Sequence, residues 1–236
     1  FLLVPNIGFF QHLLSLDVFP PDAELLRIDT KTLEEFKNLP AVVDVVPLAI
    51  YPIQVSIGNT ITDATGNVTD VGYFRLSGLT PEAGKLYASG EDAKGIIIST
   101  TLAELFEWSP ERAIGHEASI TLFYQALQEN GTAKSQKMEI KDTIIGVVAG
   151  DTPFAYFPPS ILLGLKVTEF AQAKVLVERA EVLDGVRNQI VDRRYSVSAL
   201  SDVVDQANKI FNALQIVLGV FGTAALIVSA IGMFNT

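Results

Sequence analysis

Apolar positions recur along this chain with two different periods, and each change of period marks an element. Around Ala23, AELLRI predicts a short strand, DTKTLEEFKNLP a short helix, and AVVDVVPLAIYPIQVSI a long β-branched strand. Thr32 followed by Glu35 has the spacing of a capping box, and Pro40 predicts where the helix stops. The same order returns near the other end. FAQAKVLVE (Phe170 to Glu178) predicts a strand, RAEVLDGVRNQIVDRR a helix with Val182, Val186 and Ile190 on one buried face, and YSVSAL a closing strand. Each unit has one sheet face and one helix to bury, so the two are expected to pair into a single α/β layer.

The residues between, 52–166, read as an inserted β-rich lobe. DATGN at 63–67 predicts a turn between IQVSIGNTI and VTDVGYFRLSGL, both expected as strands, and Asn130-Gly131 predicts a hairpin between ITLFYQALQ and KMEIKDTIIGVVAG. One short helix interrupts them: TLAELFEW, starting at Thr101 with Glu104 three residues on, and Ser109-Pro110 opens a further turn. DTPFAYFPP, with prolines behind an aromatic run, predicts an ordered loop or edge segment and is the first candidate for a contact surface.

Beyond YSVSAL the period becomes helical and charge then disappears. Leu200, Val203, Ala207, Ile210, Leu214 and Val217 follow spacings of three and four, a short heptad seam. After Lys209 there is no Asp, Glu, Lys or Arg, and between Ala213 and Phe234 only Gln215, Thr223 and Ser229 are distinctly polar. A helix over that stretch covers about 30 Å, the thickness of a bilayer's hydrocarbon core. Residues 201–236 are therefore expected to form a stalk helix that runs into a truncated membrane span. The seam residues Val203, Ala207, Ile210, Leu214 and Val217 are the candidate contact site, packing either on the domain itself or on another membrane helix.

Charge and composition narrow the partners. Across 236 residues, 17 Lys and Arg stand against 27 Asp and Glu, a net charge of −10, so no basic stripe exists to neutralise a phosphate backbone and nucleic acid is excluded. The absence of cysteine removes disulfides, thiolate metal sites and a Cys nucleophile. His12 and His116 lie far apart, in no metal-ligand spacing, and read as surface or loop histidines. Neither a G-x-S-x-G elbow nor a phosphate-binding P-loop is present. No catalytic residue, cofactor site or metal ligand is assigned, and the chain is not expected to be an enzyme. FLLVPNIGFF is broken by Pro5 and lacks a basic flank, so residues 1–22 read as a membrane-proximal segment rather than a signal peptide.

Taken in order, several of these stretches resemble the FtsX-like permeases of ABC transporters that carry a MacB-like periplasmic, or extracytoplasmic, core domain. EEFKNLPAVVDVVPL is similar to that domain's opening unit. DVGYFRLSGLTPEAGKLYASGEDAKGIIISTTLAELFEWSPERAIGHEASI is similar to its middle section: an aromatic-leucine strand, a glycine turn, a buried strand, a short helix and an I-G turn at Ile114-Gly115. IIGVVAGDTPFAYFPPSIL resembles the strand and proline-bearing segment that follow, and AALIVSAIGMFNT looks like the start of the second membrane helix, through Ser229, Ala230, Ile231, Gly232 and Asn235. The resemblance runs from Ala23 to Thr236 and leaves residues 1–22 unmatched.

That resemblance implies an α+β fold in which 23–51 and 167–200 make a porter-like α/β lobe of two strand-helix-strand units, 52–166 form the inserted β-rich lobe, and 201–236 are the stalk and transmembrane helix. It also implies a place outside the plasma (inner) membrane, between the first and second membrane helices of a permease. The partners it implies are a cytoplasmic ATP-binding subunit, a homodimer or paired permease, and an extracytoplasmic protein. The implied role is mechanotransmission, coupling ATP-driven motion of membrane helices to substrate export or to that extracytoplasmic partner. The alternative is a membrane-anchored sensing or adaptor module without transport activity.

Overall fold

The computed structural model describes residues 11, 13–21, 27–58, 60–88, 90, 93–127, 133–162, 169–199, 209–223 and 225. The chain divides into two units, Phe1–Val197 and Ser198–Thr236, described separately below.

One strand organises the first unit. β3 (Val42–Ile57) is the long β-branched run expected from the sequence. Its first half pairs antiparallel with β11 (Gln172–Val177), from Val42 opposite Val177 to Leu48 opposite Gln172, and β11 pairs with β1 (Ser15–Phe19). β12 (Ser196–Ala199) lies at the edge beyond β1. On this wing α1 (Thr30–Lys37) meets β3, while α5 (Ala180–Val191) meets β1 and β11. Phe36 of α1 packs edge-on against Tyr195 at 5.2 Å, and Leu183, Val186 and Ile190 form the buried face of α5. Strand, helix and strand follow one another in both units, with two differences. The first unit's leading strand is β2 (Ile28–Asp29), which pairs with β10 (Glu169–Phe170) in a separate ladder; residues 23–26 of AELLRI lie outside the described residues. The main sheet takes β1 from SLDVF, where no strand was expected.

Past Leu48, β3 changes neighbours. β4 (Thr60–Thr69) runs along one edge, from Leu48 opposite Thr69 to Ile57 opposite Thr60, and β7 (Glu117–Leu127) takes the other edge at 53–56. From β4 the ladders pass to β9 (Phe154–Phe157), β6 (Ile96–Ser99), β8 (Ala133–Val148), then β7, and so back to β3. The β-rich region is thus a ring of six strands, a small barrel closed on itself, with β5 (Pro81–Gly84) added beside β8. Pro47 and Pro52 sit in β3 without breaking it. Pro47 precedes the first β4 pair, and Pro52 falls between the end of the β11 ladder at Leu48 and the start of the β7 ladder at Ile53. Each lacks an N–H where no strand requires one.

The barrel interior holds Ile53, Val55, Val68, Ile120, Leu122 and Phe157, with Ala49, Ala118 and Ala155 where space is short. That crowding corrects one expectation: DATGN is not a turn but the middle of β4, and the chain turns earlier, at Gly58 with φ +59. Gly66 belongs in the strand because a Cβ there would stand 2.6 Å from Ile53 Cγ2. β7 and β8 pair as an antiparallel hairpin whose last pair is Leu127 opposite Ala133; Asn130-Gly131, expected as its turn, lie outside the described residues.

GYFRLS, expected as a strand, is α2 (Gly72–Ser77), closed by Gly78 in the left-handed conformation at φ +66. Tyr73, Phe74 and Leu76 join a core with Val46 and Leu48 of β3, Leu176 of β11, Ile97 of β6, Val148 of β8 and Tyr156 of β9. α2 therefore bridges wing and barrel. Burying Phe74 and Leu76 contributes about 1.5–3 kcal/mol each. DTPFAYFPP is likewise corrected: FAYF is β9, held between β4 and β6 with Ala155, Tyr156 and Phe157 buried, so it is neither an edge nor a free surface. Its prolines stand outside the ladder.

Two caps also differ from expectation. The α1 cap is Asp29, whose carboxylate accepts from the Thr32 N–H at 2.8 Å, in place of a Thr32–Glu35 box. α3 (Thr100–Leu105) is capped by Ser99, which accepts from the Leu102 N–H, so the helix starts before Thr101. Both caps are the last residue of a strand, already extended and able to turn a side-chain oxygen back onto the helix. α4 (Pro110–Ala113) begins as expected, with Ser109 as cap.

Candidate functional site

Of the five seam residues, Val203 and Ala207 lie outside the described residues, while Ile210, Leu214 and Val217 stand on a helix over 209–223. All three are exposed, at 56%, 52% and 49%. Phe211, Ile216, Leu218, Val220 and Phe221 are exposed too, at 63%, 68%, 69%, 64% and 69%; at 100° per residue Phe221 continues the seam, Leu218 and Phe211 lie to one side of it, and Val220 and Ile216 to the other. The apolar surface is much wider than one stripe, while Asn212, Gln215, Gly219, Gly222 and Thr223 fall together on the sector opposite the seam. Thr223 donates its hydroxyl hydrogen to the Gly219 carbonyl at 2.7 Å, satisfying itself within the helix. Among the described residues no helix is long and apolar enough to cross a membrane, and 226–236 lie outside them.

A second constellation lies under α2. Asp17 of β1 faces Lys174 of β11 across the ladder; the Lys174 ammonium donates to Asp17 Oδ1 at 2.5 Å and lies 5.3 Å from the centre of the Tyr73 ring. Gln172 Nε2 donates to the same carboxylate oxygen at 2.6 Å. Burial, with Asp17 adding to it, raises the Tyr73 phenol above the usual tyrosine range. Burial also raises Tyr87 and Tyr156, and the Tyr87 hydroxyl donates to the Thr69 carbonyl at 2.7 Å. These groups are held neutral or paired; no two of them form an acid and base poised around an open space. Among the described residues no group of His, Asp and Glu is placed to hold a metal ion.

The third lies at the barrel end formed by α3 and α4. Trp108 stacks on His116 with ring centroids 4.3 Å apart at 21°, and Phe106 lies 5.8 Å from Trp108. His116 is the exposed loop residue expected, but its stacking partner was not legible because seven residues separate the two. Beside them an open cavity of about 290 Å³ is lined by Gly84, Ile114, Gly115, Ile144 and Ile145, with Lys85 and Thr143 at its margin. It occupies the place on β8 where the β7 ladder ends, at Glu117 opposite Thr143, and the β5 ladder begins, at Gly84 opposite Gly146.

No family model matches the chain, and no curated protein is similar to it in sequence. Solved structures are similar in fold. The periplasmic region of MacB from Actinobacillus actinomycetemcomitans has a TM-score of 0.59 at 13% identity, over 88% of this chain and 97% of that one. The extracellular domain of the noncanonic ABC-type transporter YknZ from Gram-positive bacteria has a TM-score of 0.53 at 18% identity, over 78% of this chain and 99% of that one. The α+β fold built on β3 is the fold of those two transporter domains.

Proposed function

We propose that this chain is the extracytoplasmic domain of an ABC transporter permease together with the helix that follows it, and that it works mechanically, without chemistry of its own. The observation that carries the reading is a pairing: likeness to nearly the full length of two transporter domains, followed in the chain by a helix with exposed apolar side chains over most of its circumference. In this reading the domain lies outside the plasma (inner) membrane and the terminal helix anchors it. A cytoplasmic ATP-binding subunit drives paired permease helices, and the row Val203, Ala207, Ile210, Leu214 and Val217 passes their motion to the domain. β3 and α2 suit the domain to that role, since a strand common to wing and barrel and a helix buried across both carry a displacement onward instead of absorbing it.

The direct test is a detergent pull-down of the tagged full-length product from its native cells. An ATP-hydrolysing subunit is expected to come with it; intact, folded protein emerging without one would favour the anchored sensing or adaptor module instead. A second experiment addresses the seam. Ile210→Asp places a charge on the transmitting row and should leave ATP hydrolysis running while transport stops, whereas unchanged coupling would remove the seam from the mechanism.

A further inference from the structure

The barrel end around Trp108 has features that a merely structural surface does not need. Trp108 is the chain's only tryptophan, yet it is left half-buried, with exposed His116 stacked on it and Leu105 beside it 49% exposed. Ile114 and Gly115, the two residues before His116, line the apolar cavity, so aromatic surface and cavity are adjacent. Around them Glu104, Glu107, Glu111 and Glu117 are all exposed, against the single cation Arg112 on the same segment. Lys85, also exposed, is the one charged residue that lines the cavity. Glu107 sits at φ +57, a conformation in which glycine or asparagine is less strained, and keeps a carboxylate next to Trp108 all the same.

We propose that this end of the barrel is a docking surface for a cationic, amphipathic segment of a protein partner. Trp108 and Leu105 take the segment's apolar face, the cavity receives one aliphatic or aromatic side chain, and the glutamates receive its Lys or Arg. A partly covered Trp beside an open apolar pocket, ringed by polar groups, is an arrangement that a partner can desolvate to concentrate binding energy. A guanidinium or ammonium arriving at the rim also lies within reach of the indole face. The rim decides the sign: four carboxylates attract a basic segment and repel an anionic lipid surface. This goes beyond the transport reading and does not depend on it.

Trp108 itself reports on the site. The full chain, in nanodiscs of zwitterionic lipid, is titrated with an amidated peptide of Leu and Lys at helical spacing, with its Leu and Glu counterpart, and with phosphatidylglycerol vesicles, following tryptophan emission. The Leu/Lys peptide should shift the emission saturably. Glu104→Lys, Glu107→Lys and Glu111→Lys together should weaken it by about ten-fold or more. Glu34→Lys, Glu35→Lys and Glu181→Lys, the same charge change on α1 and α5, should leave it unchanged. Leu105→Ser, which alters no charge, should also weaken it, and thermal melts confirm that each variant is folded. Equal binding of the Leu/Glu peptide, equal weakening by both triple variants, or no effect of the peptide at all would overturn the proposal. A larger response to the vesicles would make the surface a membrane contact and overturn it equally.

Discussion

Lys174 offers the sharpest test of how wing and barrel are joined. Its side chain is 8% exposed and that of its partner Asp17 is 28% exposed, so the two halves of the pair are buried unequally. Asp17→Ala strands the ammonium beneath α2, beside the Tyr73 ring. Removing one partner from a buried pair costs about 3–5 kcal/mol, and the partial exposure of Asp17 places this case near the lower end, about 3 kcal/mol. At about 2–4 °C per kcal/mol for a domain of this size, the melting temperature should fall by about 6–12 °C. Lys174→Met replaces the ammonium with an apolar chain of similar length and leaves Asp17 with water and Gln172. It should cost no more than about 1 kcal/mol, under about 4 °C. Asp17→Asn combined with Lys174→Met should melt near wild type, because neither variant then leaves a buried charge alone. Near-UV circular dichroism melts of the four proteins decide the matter. Equal losses from the two single substitutions, or a loss from Asp17→Ala below about 1 kcal/mol, would mean that the ammonium reaches water and that the pair does not pin α2 to the wing.

Three further perturbations follow from particular contacts. Gly84→Ala should destabilise by about 2–4 kcal/mol, since φ is +74 and a Cβ would stand 2.2 Å from the Ile145 carbonyl oxygen, whereas Gly58→Ala, at φ +59 with nothing within 4 Å, should cost only about 1–2 kcal/mol. Similar shifts of their urea midpoints would refute the close approach of β5 to β8. The Asp29 carboxyl is held below its ordinary value by the Thr32 N–H, so its charge stabilises the fold above the unfolded value of 3.8, and that contribution is lost as pH falls through the lowered folded value. Asp29→Asn keeps a cap oxygen but not the charge, and should be less stable than wild type at pH 7 and equal to it near the acid limit, about pH 2, as read by urea unfolding. At the alkaline end, burial raises Tyr73, Tyr87 and Tyr156, while unfolded tyrosines ionise near pH 10. The unfolded state therefore loses its protons first and stability falls above about pH 10. Absorbance at 295 nm should show these three tyrosines ionising only together with unfolding, and free titration of all six in the folded domain would refute their burial.

The parts of the fold legible in the sequence are those decided within one element. β3 and β11 are β-branched runs, α5 repeats its apolar residues at helical spacing, and Ser109-Pro110 is a helix start in any context. The misread parts are those decided elsewhere in the chain. GYFRLS has the aromatic content of a strand, but a helix lets Tyr73, Phe74 and Leu76 reach strands on both sides of the junction together. DATGN has the composition of a turn, but a six-stranded barrel has so narrow an interior that Gly66 is needed beside Ile53 and Phe157. Closure of the ring depends on β3 meeting β7, with Ile53 opposite Leu122, and no local period announces a pairing at that separation.

The same distinction applies to the candidate sites. The seam at Ile210, Leu214 and Val217, which Phe221 continues, was legible as helical spacing, but the spacing could not say that Phe211, Ile216 and Val220 widen the exposed apolar surface far beyond one stripe, and that changes what the helix needs around it. A single apolar stripe is covered by one partner helix. A helix apolar over most of its surface needs hydrocarbon or several neighbours, and a row that contacts a partner is then chosen by close fit rather than by hydrophobicity. If the helix transmits motion, substitutions that change size should separate its faces where substitutions that change polarity would not. Replacing Leu214 by Trp should block close pairing if Leu214 faces another helix, while replacing Ile216 by Trp, about 200° round the helix from it, should be tolerated. Measured as cross-linking between permease copies or as coupled ATP hydrolysis, equal sensitivity at 214 and 216 would show that the heptad row has no special place in the helix.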